Sequence, residues 1–191
     1  MTLREKYGEW GIILGATEGV GKAFCERLAK EGMNVVMVGR REEKLKELGE
    51  ELKNTYEIDY KVVKADFSLP DATDKIFAAT ENLDMGFMAY VACLHSFGKI
   101  QDTPWEKHEA MINVNVVTFM KCFYHYMKIF AAQDRGAVIN VSSMTGISSS
   151  PWNGQYGAGK AFILKMTEAV ACETEKTNVD VEVITLGTTL T

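Results

Sequence analysis

Short apolar runs rich in β-branched residues alternate along this chain with longer segments whose apolar residues recur at helical spacing. The short runs predict six strands, at residues 12–14, 34–38, 60–65, 87–92, 137–141 and 179–185. The longer segments have apolar residues three and four positions apart, as at Val20, Phe24 and Leu28, and therefore predict amphipathic helices.

This alternation is typical of an α/β protein whose parallel sheet is covered by helices on both faces. Parallel strands require crossover helices, and such crossovers are nearly always right-handed, so the simplest topology is a doubly wound sheet. With 191 residues, 47% of them hydrophobic, and no internal repeat or Pro-rich linker, the chain is expected to form a single domain over residues 1–191. Ligands of such sheets bind at the carboxyl ends of the strands, where functional residues are therefore expected.

Charge and cysteine content exclude several classes of partner. The chain has 21 Lys and Arg against 26 Asp and Glu, a formal net charge of -5, so nucleic acid and membrane partners are not expected. The four cysteines are widely spaced, with no Cys-x-x-Cys pair, which favours free thiols and no metal site. The apolar stretch near the N-terminus is too short for a secretory signal, and a cytoplasmic location is expected.

The first predicted strand leads into a glycine-rich turn, Gly15-x-x-x-Gly19-x-Gly21, which is followed by a helix. Glycines permit a tight turn and a close backbone approach, and free N–H groups at a helix start attract a pyrophosphate. Alone this motif is weak, because three glycines before a helix can be ordinary turn chemistry.

The second strand ends in Gly39-Arg40-Arg41, at the position where a dinucleotide fold that selects NAD carries an acid to hold the ribose hydroxyl. Gly39 cannot do so, whereas two guanidinium groups suit a 2′-phosphate, which favours NADP(H) as the cofactor. The alternative is that both arginines simply begin the charged helix that follows. Glu18 is expected to point outward or to pair with an arginine, because it lies close to the predicted phosphates.

After the third strand, Asp66 and Phe67 are candidates for the adenine contact, through a carboxylate that accepts an amino hydrogen and through an aromatic ring. Their position at a strand end makes them candidates. A plain turn that leads into a helix explains both residues almost as well.

A serine, a tyrosine and a lysine form the candidate catalytic group. Ser143 follows the fifth strand, Tyr156 comes thirteen residues later, and Lys160 lies four positions further on. Helix positions i and i+4 share a face about 5–6 Å apart, so the phenol and the ammonium project together. The ammonium, helped by an oxidised nicotinamide, is expected to lower the pKa of Tyr156 by about 2–3 units, which suits a general acid or base. A Tyr–Lys pair at this spacing is, by itself, more often an ordinary solvated pair.

Taken together, these residues resemble the short-chain dehydrogenase/reductase family, whose members have a Rossmann-type fold. The matching positions occur in the family's order over nearly the whole chain and are Gly15-x-x-x-Gly19-x-Gly21, Asp66, Asn115, Ser143 and Tyr156-x-x-x-Lys160. The resemblance implies an oxidoreductase that transfers a hydride between NADP(H) and an alcohol or ketone.

The resemblance also implies a role for each catalytic residue. Tyr156 would be the catalytic acid/base, and Ser143 would polarise the substrate carbonyl. Lys160 would bind the nicotinamide ribose as well as tune Tyr156, while Asn115 would support a water relay to bulk solvent.

On the cofactor side, the resemblance implies that Thr17, Arg40 and Arg41 surround the 2′-phosphate and that Thr191 meets the nicotinamide amide. The chain departs from the family at residues 90–93, where Tyr-Val-Ala-Cys replaces the usual Asn-Asn-Ala-Gly. The side-chain contacts of that family motif are therefore not carried over.

Relatives continue for several tens of residues beyond the end of this sequence, with a last strand and a segment that covers the substrate. A molecule of only these 191 residues is therefore expected to bind NADP(H) and to turn over poorly. Residues 8–24, 85–119 and 138–173 closely resemble family members that act on bile acids, and this closer resemblance implies a bile-acid steroid as substrate, which composition and spacing do not reveal. Apolar residues on more than one face of the helices near residues 118–130 and 155–171 favour a homodimer or homotetramer.

Two other functions stay open at this point, a short-chain reductase of another ketone and a non-catalytic NADP(H)-binding regulator. The complete catalytic set argues against the regulator. His95, which follows the fourth strand, is expected to be a loop residue, since nothing pairs it with a nucleophile or metal ligand. Trp152 and Asn153 lie beside the predicted reaction centre. Trp152 is expected either to form part of the apolar wall of the substrate site or to pack in the core.

Overall fold

The structure, a computed structural model, describes residues 1–148 and 150–187, which form one parallel six-stranded sheet surrounded by helices. The strands are β1 (Trp10–Leu14), β2 (Asn34–Gly39), β3 (Tyr60–Lys64), β4 (Met85–Tyr90), β5 (Gly136–Ser143) and β6 (Val179–Leu186). Their order is β3-β2-β1-β4-β5-β6, and every neighbouring pair is parallel. The predicted doubly wound α/β fold is confirmed.

Helices connect the strands in the described part of the chain. They are α1 (Leu3–Tyr7), α2 (Gly19–Lys30), α3 (Glu42–Tyr56), α4 (Ala72–Thr80), α5 (Trp105–Ile112), α6 (Phe119–Gln133) and α7 (Gly154–Thr174). A π-helix, Asn113–Thr118, joins α5 to α6, and short 3-10 helices lie at Ile100–Asp102 and Met144–Gly146. Within the ranges that the structure describes, no helix is both long and apolar enough to cross a membrane.

The two faces of the sheet are covered by separate hydrophobic cores. Successive residues of a strand point to opposite faces, so Ile12 and Leu14 pack under α4, α6 and α7, whereas Ile13 packs under α2 and α3. Strands β2 and β4 are buried along their whole length, which is why they read as continuous apolar runs.

Strand β1 is the point at which the strand order reverses. It pairs with β2 on one side and with β4 on the other, and the chain leaves these strands in opposite directions across the sheet. In open α/β sheets the crevice outside the carboxyl ends of such strands is the ligand site. A ligand is therefore expected to bind beside the loops that follow β1 and β4.

Two predicted strand boundaries were wrong in ways that matter for the site. Strand β4 ends at Tyr90, because the N–H groups of Val91 and Ala92 donate to the carbonyl of Leu14 at 2.8 and 2.7 Å and turn the chain. Strand β5 continues through Ser143, because its pairing with β6 extends to Ser143 opposite Leu186. The candidate serine therefore lies on the sheet itself rather than in a loop.

Candidate active site

A cavity of about 620 Å³ runs along the carboxyl ends of β1 to β5 and reaches the end of β6. It collects most of the residues predicted for the cofactor and for catalysis, namely Gly15, Thr17, Arg40, Arg41, Asp66, Phe67, Ser143, Tyr156 and Lys160. Gly19, Gly21 and Asn115 do not line this cavity, while Thr191 lies outside the described residues. Residues far apart in sequence therefore share one crevice.

The glycine turn after β1 requires glycine for reasons of space and conformation. Gly15 has a φ of +103°, and a Cβ there would lie 2.6 Å from the backbone nitrogen of Ala92. A Cβ on Gly21 would lie 1.9 Å from the carbonyl oxygen of Gly15. Helix α2 begins at Gly19 without a side-chain cap, and Glu18 and Val20 at its start line the cavity, so the helix start is a candidate anion site.

The two arginines after β2 are in different electrostatic situations. Arg41 forms an ion pair with Glu18, Nη2 to Oε1 at 2.8 Å, which confirms that Glu18 pairs with an arginine. Arg40 forms no ion pair with any residue in 1–148 or 150–187, and its charge helps to lower the pKa of Asp66. Arg40 is thus the less neutralised of the two cations.

Gly39 leaves no room for the acid that an NAD-selective fold places there. A Cβ at this position would lie 2.7 Å from the hydroxyl oxygen of Thr17. An acid at residue 39 would therefore need Thr17 to move. The sequence suggested a missing acid, and the structure adds a steric reason for it.

The predicted adenine pair consists of a half-buried carboxylate and a ring that belongs to the core. Burial opposes ionisation of Asp66, but its carboxylate accepts from the Ser68 N–H and hydroxyl at 3.0 and 2.7 Å, and its pKa is lowered overall. Phe67 is only 6% exposed and packs edge-on against Tyr90, with ring centroids 6.0 Å apart. Any contact of Phe67 with an adenine is therefore limited to the ring edge at the cavity wall, and the adenine role of both residues stays a prediction.

Lys160 and Tyr156 lie on one face of α7, as their spacing predicts. The Lys160 ammonium is 5.8 Å from the centroid of the Tyr156 ring and donates to the carbonyl of Val141 at 2.7 Å. Lys160 is 2% exposed, and burial lowers its pKa. A buried cation with one neutral hydrogen-bond partner is costly to maintain, which is typical of a functional site rather than of a structural ion pair.

The expected downward shift of the Tyr156 pKa was wrong for the protein by itself. Burial raises the pKa of Tyr156, and the neighbouring Cys93 thiol adds to the rise, while a hydrogen bond from Ser143 opposes it. Sequence spacing could place an ammonium near the phenol, but it could not reveal how deeply the phenol is buried. The predicted lowering by the Lys160 ammonium together with an oxidised nicotinamide stays a prediction for the complex.

The two serines at the end of β5 have separate contacts because successive strand residues point to opposite faces. Ser142 is buried, and its hydroxyl donates to the carbonyl of Lys160 at 2.8 Å, which ties α7 to the sheet. Ser143 faces the cavity, where its oxygen accepts from the Thr145 N–H at 3.2 Å and from the Thr145 hydroxyl at 3.0 Å. These acceptor bonds leave the Ser143 proton available for Tyr156 or for a substrate oxygen.

Two glycines let α7 approach its neighbours closely, although each costs about 1 kcal/mol in a helix relative to alanine. A Cβ on Gly159 would lie 2.9 Å from the Cβ of Asn115, and a Cβ on Gly157 would lie 2.8 Å from the carbonyl oxygen of Thr145. The position of Tyr156 relative to Ser143 therefore depends on small residues one turn away.

Asn115 lies in the π-helix and fixes the loop after β4. Its Nδ2 donates to the Leu94 carbonyl at 2.7 Å, and its Oδ1 accepts from the Leu94 N–H at 3.1 Å. Tyr90, which stands in the departure from the family motif, donates to the carbonyl of Val114 at 2.7 Å and anchors the same π-helix. The water relay predicted for Asn115 stays a prediction, since its side chain is engaged with Leu94.

His95 is a loop residue, as predicted, and both His95 and Asn153 line the cavity. The His95 ring lies edge-on to the Tyr156 ring, with centroids 5.9 Å apart, and lines the cavity. Asn153 also lines the cavity and is only 6% exposed, while Trp152 is 65% exposed and does not belong to the core. Position after a strand, the signal that identified Ser143, was equally available for His95.

Comparison with known proteins gives the same picture over the full length of the chain. A model of the short chain dehydrogenase family matches residues 9–191. A 7beta-hydroxysteroid dehydrogenase of Collinsella aerofaciens is 83% identical over 191 residues, which are 100% of this chain and 73% of that protein. The enzyme of the same name from Clostridium sardiniense is 46% identical with the same coverage, 100% and 73%.

Solved structures agree with these relatives. A 7beta-hydroxysteroid dehydrogenase structure superposes with a TM-score of 0.98 at 83% identity, over 100% of this chain and 73% of that one. A short-chain dehydrogenase from Sphingobium yanoikuyae in complex with NADPH has a TM-score of 0.90 at 23% identity, over 95% of this chain and 72% of that one, and shows the shared fold. Because the similarity spans the whole chain, it includes every loop that lines the cavity.

Proposed function

Because the chain belongs to the short-chain dehydrogenase family, we propose that it is an NADP(H)-dependent 7beta-hydroxysteroid dehydrogenase that interconverts the 7-hydroxyl and the 7-ketone of bile-acid steroids. One observation carries the catalytic part of this proposal. Ser143, Tyr156 and the buried Lys160 line a single cavity that also contains the glycine turn and the two arginines. The steroid part rests on the 83% identical relative.

The residues of the cavity fit a dinucleotide phosphate. Gly15 and Thr17 of the glycine turn line the cavity, and the guanidinium of Arg40, which has no ion pair among the described residues, suits a 2′-phosphate. We infer that the start of α2 binds the pyrophosphate and that Arg40, with Thr17 and Arg41, binds the 2′-phosphate. Asp66, which follows β3, lines the same cavity, and we infer that it contacts the adenine.

A bound NADPH supplies the hydride for reduction, and the protein supplies the proton and the electrostatic support. In the reduction, the Ser143 hydroxyl donates a hydrogen bond to the carbonyl oxygen, where negative charge develops. Tyr156 gives its phenolic proton to that oxygen as the carbon–hydrogen bond forms. In the oxidation, the phenolate of Tyr156 takes the hydroxyl proton back.

Lys160 stabilises the charged form of Tyr156 when the phenol gives up its proton. Its ammonium, 5.8 Å from the ring centroid, is fixed by the Val141 carbonyl and is shielded from water by burial, so its field is weakly screened. We infer that Lys160 also binds the nicotinamide ribose, as the family resemblance implies.

The cavity has an apolar side suited to a ring system. Phe97 and Met144, which line the cavity, are 69% and 53% exposed. Ligand sites are mostly apolar, with few polar groups that fix orientation. This composition favours a steroid over a sugar ketone, which would require more polar partners.

The decisive experiment is NADPH oxidation with a 7-oxo bile acid, followed by identification of the 7-epimer that is formed. We expect the 7β-alcohol as the product. Formation of the 7α-alcohol would contradict the stereochemical part of the proposal. Turnover of acyl or sugar ketones without turnover of steroids would favour a different short-chain reductase, and cofactor binding without turnover of any ketone would favour a regulator.

We also propose that the protein is a homodimer or homotetramer. Helix α6 buries five of its aromatic and thiol side chains in the core, yet it exposes Tyr124 at 59%, and Val117 in the preceding π-helix is 40% exposed. Apolar surface on the outer side of a helix is typical of a contact with another subunit. Light scattering of the purified protein would measure the mass of the assembly.

A further inference from the structure

Asn153 has a buried carboxamide that the mechanism described so far does not use. It lines the cavity between Ser143 and Tyr156, and it is 6% exposed. Its Oδ1 is buried and accepts no hydrogen bond from any residue in 1–148 or 150–187. Such atoms are rare in folded proteins, because a buried acceptor without a donor loses its hydration and gains nothing in return.

The usual structural role of an asparagine at this position does not explain the carboxamide. Asn153 is the N-cap residue of α7, where an asparagine side chain commonly accepts from an N–H of the first helical turn. Here the side chain makes no cap bond, and only the backbone carbonyl of Asn153 takes part, by accepting from the Gly157 N–H at 3.0 Å. The side chain is therefore free of the helix that it precedes.

Backbone strain in the preceding residue holds Asn153 in this position. Trp152 has a φ of +60°, a left-handed conformation that is unfavourable for a bulky residue. Its carbonyl accepts from the Gly98 N–H at 2.9 Å, which links the loop before α7 to the loop after β4. Strain of this kind concentrates at functional sites, where the surrounding structure maintains it.

The surroundings of the carboxamide suit a mostly apolar ligand that carries isolated polar groups. The exposed side chains of Trp152 and Phe97 lie on the two linked loops. The proton donors for the reacting oxygen are Ser143 and Tyr156, and Tyr156 lies one helical turn beyond Asn153. The carboxamide is therefore available to a second polar group of the same ligand.

We propose that the Asn153 carboxamide hydrogen-bonds a hydroxyl group of the steroid other than the one that reacts, and that Asn153 is thereby a specificity-determining residue. This inference rests on the proposed function. A hydroxyl fits better than a second ketone, because a ketone oxygen has no proton for Oδ1. A hydroxyl both donates and accepts, so it satisfies the carboxamide in either orientation of the amide.

The test compares substrates that differ by one hydroxyl. The full chain is assayed with a 7-oxo bile acid that carries 3- and 12-hydroxyls, with its 3-deoxy analogue and with its 12-deoxy analogue. We expect the wild type to prefer the hydroxylated substrate over one deoxy analogue by about tenfold in kcat/KM, which corresponds to about 1.4 kcal/mol. In Asn153→Ala this preference should shrink to less than about twofold, mainly through a higher KM for the hydroxylated substrate.

A matched control separates this contact from a general loss of structure. Asn178→Ala removes a carboxamide that pairs with Asp134 at 2.8 Å near the start of β6, at the opposite end of the sheet, and it should keep the wild-type ratio. One deoxy analogue should be a poorer substrate than the hydroxylated compound for the wild type but not for Asn153→Ala. The hydroxyl missing from that analogue is the one that Asn153 binds. The inference is overturned if the wild type treats all three substrates alike, or if Asn153→Ala keeps the ratio of the wild type. Failure of the wild type to reduce any 7-oxo bile acid would overturn the proposed function and this inference with it.

Discussion

Polar side chains at the amino and carboxyl ends of the sheet differ in whether they have partners within the protein. At the amino end, Asp180 accepts from the Tyr7 hydroxyl at 2.5 Å and from the Lys6 ammonium at 2.6 Å, so α1 is held against β6. Nearby, Arg135 and Asp84 form an ion pair at 2.5 Å. At the carboxyl end, by contrast, Arg40 has no ion pair in the described ranges and Asn153 has a buried oxygen without a donor.

This difference teaches which polar groups stabilise the fold and which are reserved for a ligand. Groups at the amino end satisfy one another and stay exposed enough for solvent to screen them, so each contributes little. At the carboxyl end Arg41 pairs with Glu18, but the Lys160 ammonium and the Asn153 carboxamide oxygen are buried without an opposite charge or a donor among the described residues, which costs stability until a ligand supplies the missing partner. Substitutions at the two ends should therefore change different measured quantities.

The largest expected effect is at the carboxyl end. Tyr156→Phe removes the hydroxyl that carries the proton and keeps the ring, and a positioned acid or base contributes about 10²–10⁴-fold to the rate. We expect kcat to fall by about three orders of magnitude and the Kd for NADPH to stay within about twofold. Steady-state turnover and a fluorescence titration measure the two quantities.

Tyr124→Phe is the control for that substitution, because the Tyr124 side chain is 59% exposed on α6, away from the cavity. It should leave both kcat and Kd unchanged. If Tyr156→Phe retained turnover within tenfold of the wild type, Tyr156 would not be the proton carrier.

The arginines at the carboxyl end provide the second test. Hydrogen bonds to charged groups contribute about 1.5–3 kcal/mol, so Arg40→Ala should weaken NADPH binding by about 10–100-fold. Arg41→Ala should weaken it less, because Glu18 at 2.8 Å already neutralises part of the Arg41 charge. Calorimetric titration with NADPH and with NADH measures the effect, and the affinity for NADH should change little in either variant. An equal or larger loss for Arg41→Ala would mean that the ion pair opens when the cofactor binds.

A pair of glycines in α7 sharpens the comparison further. Gly159→Ala gains helix propensity, but its Cβ would lie 2.9 Å from the Cβ of Asn115, and overpacking of this kind costs about 1–3 kcal/mol. We expect a lower free energy of unfolding and reduced turnover, since α7 carries Tyr156. Gly154→Ala, which meets nothing within 4 Å, should stabilise the protein by about 0.4–1 kcal/mol. Denaturant unfolding measures the free energy of unfolding of both variants. If the two substitutions changed it by similar amounts, close packing would not explain the glycine at position 159.

The smallest effect is expected at the amino end. The hydrogen bonds from Lys6 and Tyr7 hold the pKa of Asp180 below its usual value. A carboxylate whose folded-state pKa is lowered stabilises the protein above its unfolded pKa of about 3.9, and this contribution is lost as the pH falls through the folded value. The Asp180 side chain is 53% exposed, so Asp180→Asn should cost less than about 1 kcal/mol at pH 7.

Thermal unfolding of Asp180→Asn and the wild type between pH 7 and pH 3 measures this contribution. The difference between them should diminish toward the acid end of the range, and turnover at pH 7 should be unaffected. A large loss of turnover would show that the amino end is coupled to the site.

Sequence periodicity and strand-end position were enough to predict the sheet, the cavity edge and most of its lining. Tyr156, Lys160 and Arg40 could be placed together because parallel strands end on one side of the sheet. The direction of the Tyr156 pKa shift could not be predicted, since it depends on burial. The contrast between Ser142 and Ser143 required knowledge of which sheet face carries α7.

The burial of Asn153 and the lack of a donor for its side-chain oxygen could not be predicted from the sequence either. No motif marks it, and the lack of a donor for its oxygen is a property of the folded surroundings. The π-helix at Asn113–Thr118 was equally hidden, because its apolar residues fit an ordinary helix and its register is set by the Tyr90 hydroxyl. Local patterns therefore predicted elements, while tertiary contacts decided the chemistry of individual groups.

The central place of β1 has a consequence for the newly made chain. This strand is complete at Leu14, but its neighbour β4 begins only at Met85. A ribosome that adds about 5–20 residues per second needs roughly 4–14 s to make the intervening segment. During that interval β2 and β3 can join one side of β1, while the other side remains an open edge that can pair with a foreign strand. A strand that is paired on both sides in the finished protein thus has an open edge during translation.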